Sequence, residues 1–226
     1  MSNFLYSERF YGNPVIRPMI LLSVKISHLF DMAKDKKICG MSLVRFVPTP
    51  YAETHGATGS QSTPYWGLEK LFKDVEFRGS DHLIDVGCGK GRVLAYLAGM
   101  NCAADITGVE LNPEVAMTAK QWTKRYSNIN VIEGNAFDLD YDTYNKMFMF
   151  RPMETGAFID FITKVEGDMT HPLTLYYYAD QQSSYYLNIR PGWSLMSRAE
   201  IIAGHGFFIH PEPQRYSIWV FDPDNR

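Results

Sequence analysis

The sequence predicts an α/β fold: a doubly wound, mostly parallel sheet of seven strands with one antiparallel strand, preceded by a helical extension at the N-terminus. Along residues 82–178, short apolar runs of strand type alternate with longer segments whose apolar residues recur at helical spacing. After residue 200, two strand-like runs follow each other without a helix between them. Alternation of this kind builds a parallel sheet, and the final pair adds the antiparallel strand.

Composition narrows the class of protein. With 226 residues, 46% of them hydrophobic, the chain fits one globular domain with room for an extension. A formal net charge of −3 disfavours nucleic acid as a partner. The cysteines form no CxxC pair and the histidines show no metal-ligand spacing, so we expect no disulfide framework and no bound metal. The same cysteines make a reducing cytoplasm the expected location, and we find no signal peptide and no stretch that could span a bilayer.

The first part of the chain divides into an extension and a loop. Residues 1–45 are predicted to form a helical extension that docks on the core or acts as a lid; a homodimer interface is the alternative, and a basic membrane face is disfavoured. Residues 46–63 are dense in Pro, Gly, Ser and Thr, which is typical of a loop. Because a loop of this length is either disordered or functional, we place it over the functional site.

The elements after this loop follow in order. Thr63 and Pro64 begin a predicted helix that extends to about residue 75. Asn112 and Pro113 are predicted to cap and begin the helix after the second strand. Five strands of the parallel part are predicted in the segments HLIDV, ITGVE, INVIEG, NKMFMF and LTLYYYA.

The C-terminal part is predicted to begin with a helix. Ser197 and Glu200 have the spacing of a capping box, which predicts a helix start before IIAG. The segments FFIH and RYSIWVF are then predicted as two strands on either side of a turn, PEPQ, at residues 211–214.

The glycine-rich turn after HLIDV is the most informative motif. In a doubly wound fold, ligands bind beyond the carboxyl ends of the strands, where such a turn lets the backbone approach them. Gly87, Gly89 and Gly91 have the spacing GxGxG, which argues against the GxGxxG of NAD- or FAD-binding proteins. Glu110, at the end of the second strand, is placed to accept hydrogen bonds from both ribose hydroxyls. An adenosine-containing ligand is therefore expected.

Two segments resemble a known family. LIDVGCGKGRVLAYLA, residues 83–98, followed by ITGVELNP resembles motifs I and II of class I S-adenosylmethionine-dependent methyltransferases, which have a Rossmann-like fold. The resemblance extends over residues 60–221 in the order of strands and helices. It implies an enzyme that uses S-adenosyl-L-methionine, with residues 64–226 as its catalytic domain.

The resemblance also implies roles for individual residues. Asp85 would order the turn and the methionine end of the cofactor, Glu110 would bind the ribose, and Leu111 would cover the adenine. Asn135 replaces the acidic residue that usually accepts from the adenine amino group, and its amide oxygen is still an acceptor. The complete set of implied cofactor residues is Thr63, Tyr65, Asp85, Gly87, Cys88, Gly89, Gly91, Glu110, Leu111, Asn135, Ala136 and Phe150.

A narrower resemblance concerns the helix before the turn. STPYWGLEKLF, together with the glycine-rich motif, is similar to the bacterial branch of Dot1-like methyltransferases, in which a Ser/Thr-Pro loop closes over the methionine moiety. Thr63 and Tyr65 are the matching positions. This similarity concerns how the cofactor is held and does not establish the methyl acceptor.

The segment FMFRPMETG is expected to face the methyl acceptor. The family often has Asn or Asp, then Pro, Pro and an aromatic residue here, which accept hydrogen bonds from an exocyclic amino group. Arg151 offers only donors and suits an anionic substrate, although a structural ion pair with Glu154 is an equal alternative. The substrate-facing candidates are Arg151, Met153, Tyr178 and His55, the last as a base.

The expected reaction is methyl transfer to a nitrogen or oxygen of a small molecule or peptide. The alternatives are methylation of a protein lysine or of RNA, or a silent regulator that binds the cofactor without chemistry.

Overall fold

A computed structural model describes residues 14–204 and 208–226, without the side chains of Ile16 and residues 202–213. Its centre is one seven-stranded sheet with the order β3-β2-β1-β4-β5-β7-β6. The strands are β1 His82–Val86, β2 Asp105–Glu110, β3 Ile129–Glu133, β4 Lys146–Phe150, β5 Leu173–Tyr178, β6 Trp193–Gly204 and β7 Phe208–Phe221. Because β7 is antiparallel to both of its neighbours and the other pairs are parallel, the predicted Rossmann-like fold with one antiparallel strand is confirmed.

Helices cover both faces of the sheet. They are α1 Ile16–Cys39, α2 Ala52–His55, α3 Tyr65–Leu71, α4 Arg92–Gly99, α5 Pro113–Thr123 and α6 Thr155–Asp168. Successive residues of β1 point to opposite faces, so Leu83 belongs to one buried cluster and Ile84 to the other. The first cluster includes residues of α3, α4 and α5, and the second includes the buried face of α6.

Local sequence signals fix the start of α5, whereas the helix predicted from Thr63 and Pro64 to about residue 75 is shorter, Tyr65–Leu71, and has no side-chain cap. The Asn112 side chain accepts a hydrogen bond from the Glu114 backbone N–H at 3.1 Å, and Pro113 is the first residue of α5. Phe158, Phe161, Ile162 and Val165 are the buried residues of α6, and they recur at the spacing i, i+3, i+4 and i+7 of one helix face. The helical periodicity therefore identifies the buried face of this helix.

The predicted helix near residue 200 is wrong. Ser197 and Glu200 lie in β6, where they pair with Ile218 and Arg215 of β7. A capping box is a local signal, whereas β7 needs a partner along its length for its backbone hydrogen bonds, and the long-range pairing prevails.

The predicted turn at PEPQ is also wrong. Strand β7 runs through these residues, and β6 pairs with it as far as Gly204 opposite Phe208. The pairing shifts register between Ile201, opposite Gln214, and Ala203, opposite Ile209. Pro211 and Pro213 have no N–H to give to a ladder, which fits an irregularity within a strand.

Residues 1–13 of the predicted extension lie outside the described structure. Helix α1 forms most of the rest of the extension. It ends at Gly40, whose φ of 77° is left-handed and whose N–H donates to the Lys36 carbonyl. Its buried residues are Ile20, Ser27, Asp31, Asp35 and Cys39, so the stripe that faces the core is largely polar. Within the residues described, no helix is long and apolar enough to cross a membrane.

Candidate functional site

A cavity lies where the strands β1, β2 and β4 end. It is lined by the glycine-rich turn, the loop from Val47 to Thr63, and the segments that follow β3 and β4. The predicted site residues that line it are His55, Thr63, Asp85, Gly87, Cys88, Gly89, Glu110, Leu111, Asn135, Ala136, Phe150 and Met153.

Four other predicted residues do not line this cavity. Tyr65 and Tyr178 are buried in the cluster on the α3 side of the sheet. Gly91 lies beneath the turn, where a Cβ would be 3.0 Å from the Trp122 indole. The side chain of Arg151 is half-buried outside the cavity lining.

The turn needs glycine for backbone conformation and for close approach. Gly87 and Gly89 have φ values of 71° and 57°, in the left-handed region. A Cβ on Gly87 would overlap Pro152, and one on Gly89 would be 2.6 Å from the Ser60 hydroxyl oxygen. Two distant segments therefore pack directly on the turn.

Glu110 links the turn to the second strand. Its Oε2 accepts from the Gly89 N–H at 2.9 Å, and its Oε1 accepts from the Asn112 N–H at 2.8 Å. Burial raises the pKa of this carboxyl above its ordinary value. Each carboxylate oxygen retains acceptor capacity, so the group can still receive hydrogen bonds from two hydroxyls of a ligand.

Asp85 presents an acceptor without a donor. Its side chain is 2% exposed, and Oδ2 has no hydrogen-bond partner among the described residues. Burial, and secondly the charge of Glu110, raise the pKa of this carboxyl well above its ordinary value. A buried polar atom of this kind is costly unless a ligand or water completes its hydrogen bonds. Asp85 therefore fits a ligand that carries an ammonium or another hydrogen-bond donor.

Asn135 has a local role that its predicted role did not include. Its amide oxygen accepts from the Phe137 N–H at 3.1 Å and begins a short 3₁₀ helix, Ala136–Asp138. The same oxygen has a second lone pair for a ligand. Phe137 also lines the cavity and, like Leu111, adds apolar surface to it.

The loop before α3 is joined to the turn after β4. The Thr58 N–H donates to the Pro152 carbonyl at 3.0 Å, and the Thr58 hydroxyl donates to the Arg151 carbonyl at 2.7 Å. Beside this pair, the Glu154 N–H donates to the Gly56 carbonyl at 2.7 Å. Residues 46–63, called the roof below, therefore contribute to the lining of the cavity and are bound near their middle to the turn after β4.

His55 lies in this roof at the end of α2. Its Nδ1 is 2.8 Å from the Thr54 hydroxyl, and its ring meets the Tyr51 ring edge-on at 5.7 Å. These contacts orient the imidazole at the edge of the cavity that it lines.

Arg151 has a φ of 38°, an unusual conformation for a residue with a side chain. Its carbonyl is held by Thr58, as described above. Among the residues that the structure describes, its guanidinium forms no ion pair, so the structural pair with Glu154 is not made.

Sequence reasoning missed a buried ion cluster beside the cavity. Arg92, the first residue of α4, donates to Asp35 through Nη2 at 2.7 Å and to Asp31 through Nη1 at 3.1 Å. The Leu43 N–H donates to Asp35 and the Tyr65 N–H to Asp31. Burial raises the pKa of Asp31 to about 6. A charged residue at the start of an apolar helix was the one sequence signal, and it did not identify the partners.

Comparisons with known proteins agree with this geometry. Residues 83–156, about a third of the chain, match the family model described as a methyltransferase domain. No curated protein matches the chain. The matched segment contains the glycine-rich turn and Glu110, and it ends just after the turn that follows β4.

Solved structures with a similar fold include three examples at low identity. An RNA methyltransferase from Salinibacter ruber, in complex with S-adenosyl-L-homocysteine, is 14% identical, with a TM-score of 0.55 over 71% of this chain and 94% of that one. The tRNA methyltransferase TrmK of B. subtilis is 12% identical, with a TM-score of 0.55 over 70% and 66%. A point mutant of MtNAS is 13% identical, with a TM-score of 0.55 over 97% and 81%. The family match and this shared fold together indicate an S-adenosylmethionine-dependent methyltransferase.

Proposed function

We propose that this methyltransferase transfers a methyl group from S-adenosylmethionine to a nitrogen or oxygen of a small molecule or peptide. The observation that carries the cofactor assignment is the orphaned Oδ2 of Asp85, in one cavity with the carboxylate of Glu110 and the glycine-rich turn. Together they provide an acceptor for an ammonium, an acceptor for ribose hydroxyls, and room for close approach of the ligand to the backbone.

The residues of the cavity divide into three groups by the part of the cofactor that they suit. Asp85 would accept from the ammonium of the methionine end, and Glu110 would accept from the ribose. Leu111, Ala136 and Phe137 would border the adenine. When bound, the cofactor supplies a sulfonium-activated methyl group for in-line displacement, and the chain's task is to align an acceptor and exclude water.

The turn after β4 supports an acceptor other than a nucleobase amino group. Recognition of such a group uses the side-chain oxygen of an Asn or Asp at this turn, and here the position is held by Arg151, whose side chain offers only donors. The guanidinium of Arg151 forms no ion pair with the described residues, which favours a carboxylate or phosphate on the substrate. His55 is the candidate to take a proton from the acceptor.

The cofactor assignment is tested by calorimetry with S-adenosylmethionine and S-adenosylhomocysteine. We expect binding to fall at least about tenfold in Glu110→Ala, since two charge-assisted hydrogen bonds to the ribose are lost. Glu114→Ala, an exposed position in the first turn of α5, is the matched control and should bind as the wild type does. Equal affinity in both variants would show that Glu110 does not bind the ribose.

The acceptor is tested by transfer of labelled methyl groups to separate pools of small molecules, peptides, proteins and RNA. We expect labelling among anionic small molecules or peptides, reduced by Arg151→Ala. Labelled RNA would move the assignment to the chemistry of the RNA methyltransferases that share the fold. A labelled protein lysine would move it to the chemistry suggested by the Dot1-like similarity. Cofactor binding without transfer to any pool would favour the silent regulator. A cytoplasmic location and a homodimer through the extension remain predictions.

A further inference from the structure

Lys90 is a buried lysine in the glycine-rich turn. It stands between Gly89 and Gly91, is 6% exposed, and lines the cavity. Burial is the main cause that lowers the pKa of its ammonium to about 8. Lysines are seldom buried this far, because removing an ammonium from water is costly unless acceptors replace the water. Its position therefore calls for a partner.

The contacts of Lys90 are incomplete. The ammonium donates to the carbonyl oxygen of Arg45, its one hydrogen-bond partner within the described part of the chain. It lies in no ion pair there, although an ammonium has three N–H donors. The charged groups that act on it are Arg92 and Arg45, which are cationic, and Asp35, which is already bound by Arg92.

Two residues of the cavity lining, Lys90 in the turn and Arg92 in the helix after it, have side chains that are cationic at neutral pH. Arg92 donates through Nε and Nη2 to Asp35 and through Nη1 to Asp31 and the Thr63 carbonyl, so its donors are engaged inside the protein. Lys90 is the remaining cation with donors to spare. Its backbone stands next to Gly91, the residue that precedes the N-terminus of α4, and this end of a helix also favours an anion.

We infer that Lys90 binds the carboxylate of the methionine moiety of the cofactor. The inference rests on the proposed function, which assigns Asp85 to the ammonium of the methionine moiety. The carboxylate is attached to the same carbon atom as this ammonium, and it needs a cation beside it. The carboxylate of the ligand would accept hydrogen bonds from the remaining N–H donors of Lys90. In the same way, the ammonium of the ligand would donate to the unpartnered Oδ2 of Asp85. Lys90 thus selects ligands that keep the amino-acid part.

A structural role is the alternative, since Lys90 also ties the turn to the backbone at Arg45. The two roles differ in which ligands are affected. A residue that only shapes the turn affects every adenosine ligand alike, whereas a carboxylate-binding residue affects only ligands that carry the carboxylate.

The test compares S-adenosylhomocysteine with 5′-methylthioadenosine, which keeps the adenosine and the sulfur but lacks the amino-acid part. In calorimetry, Lys90→Met should bind S-adenosylhomocysteine about 10- to 100-fold more weakly than the wild type, the effect of losing a hydrogen-bonded ion pair. Its affinity for 5′-methylthioadenosine should stay within about twofold of the wild type. Lys164→Met, which removes an i,i+4 pair within α6, is the control for loss of a lysine, since Lys164 does not line the cavity.

The outcomes separate the two proposals. If the wild type binds neither ligand, the proposed function fails. If the wild type binds both and Lys90→Met weakens both to the same degree, Lys90 is structural and this inference is overturned. If Lys90→Met does not fold, a second experiment compares S-adenosylmethionine with its decarboxylated form, in the wild type and in Lys90→Gln. The wild type should bind the decarboxylated ligand more weakly than S-adenosylmethionine, and equal binding would count against the inference; in Lys90→Gln that difference should shrink.

Discussion

The guanidinium of Arg92 donates hydrogen bonds to both carboxylate oxygens of Asp35, from Nη2 to Oδ2 at 2.7 Å and from Nε to Oδ1 at 3.1 Å. The two side chains are 3% and 0% exposed and come from α4 and α1, which are separated by more than 50 residues of sequence. This pair fixes the N-terminal extension to the helix that begins at the glycine-rich turn. Helix α1 is thus attached to the cofactor side of the domain through charge as well as apolar contact.

Arg92→Met should lower the free energy of unfolding by about 3–5 kcal/mol, because it leaves two buried carboxyl groups without their cation. Chemical unfolding in urea measures the loss. The exposed pair of Arg78 with Glu76, at 3.6 Å, provides the control, and Arg78→Met should change stability by less than about 1 kcal/mol. Similar stability of the two variants would mean that the buried cluster contributes no more than a surface pair.

Asp31 should make stability depend on pH. Its pKa in the folded protein, about 6, lies above its ordinary value of 3.8, so the folded state binds this proton more tightly than the unfolded state does. The resulting stabilisation is full below pH 4 and is lost as the pH rises through 6. Relative to Asp31→Asn, the wild type should therefore lose about 2 kcal/mol between pH 4 and 7, measured by urea unfolding.

The control for this titration is Asp160→Asn, an exposed position on α6. It should parallel the wild type across the same range. A constant difference between wild type and Asp31→Asn would show that Asp31 has no raised pKa in the folded protein.

Gly87→Ala should abolish tight binding of S-adenosylhomocysteine, because its Cβ meets Pro152 and its φ is left-handed. We expect affinity to fall at least about tenfold, measured by calorimetry. Gly156→Ala is the matched control, since a Cβ in this position of α6 meets nothing within 4 Å. Alanine there should leave binding unchanged and raise stability slightly. Normal binding by Gly87→Ala would refute the close approach of the turn and Pro152.

Thr58→Val should loosen the roof of the cavity. It removes the hydroxyl bond to the Arg151 carbonyl and keeps the size of the side chain. Hydrogen exchange of the peptide that covers residues 46–63 should accelerate about three- to tenfold, which corresponds to the loss of one hydrogen bond. Thr163→Val, which removes a bond within α6 and one from Arg190, should leave exchange in the loop unchanged. Unchanged exchange in Thr58→Val would mean that the backbone bonds alone hold the roof.

Affinity for S-adenosylhomocysteine should fall as the pH rises through 8. The pKa of Lys90 is lowered to about 8, so above this pH the amine is increasingly neutral and loses its attraction for a carboxylate. Lys90→Arg keeps its charge over this range and should show a smaller fall in calorimetry at pH 7, 8 and 9. An equal fall in both proteins would trace the effect to groups of the ligand.

The sequence predicted the parts of the protein that local patterns determine. Helical and strand periodicity identified the order of elements, and Asn112 with Pro113 identified one helix start. The glycine-rich turn and Glu110 lie in two adjacent segments, so their proximity followed from the fold class. Ser197 and Glu200 show the limit, because a valid local cap signal was overridden by pairing with a strand further along the chain.

The rest of the candidate site depends on contacts between distant segments. Thr58 lies 93 residues from the Arg151 carbonyl that it binds, and Lys90 lies 45 residues from the Arg45 carbonyl. No spacing rule connects such positions, since the contacts form only after the loop and the extension have packed on the sheet. Residue types alone also did not identify Asp31 and Asp35 as the partners of Arg92.

The fastening of Thr58 to Arg151 and Pro152 has a consequence for engineering. Binding residues often lie on surface loops, so a common way to change the substrate preference of an enzyme is to graft the one loop that contacts the substrate. Here the turn after β4 shares its backbone hydrogen bonds with the roof and its side-chain packing with Gly87. A chimera that receives a foreign turn alone would lose the hydrogen bonds that hold the middle of the roof. Residues 46–63 and 150–154 therefore form one module that has to be transplanted together.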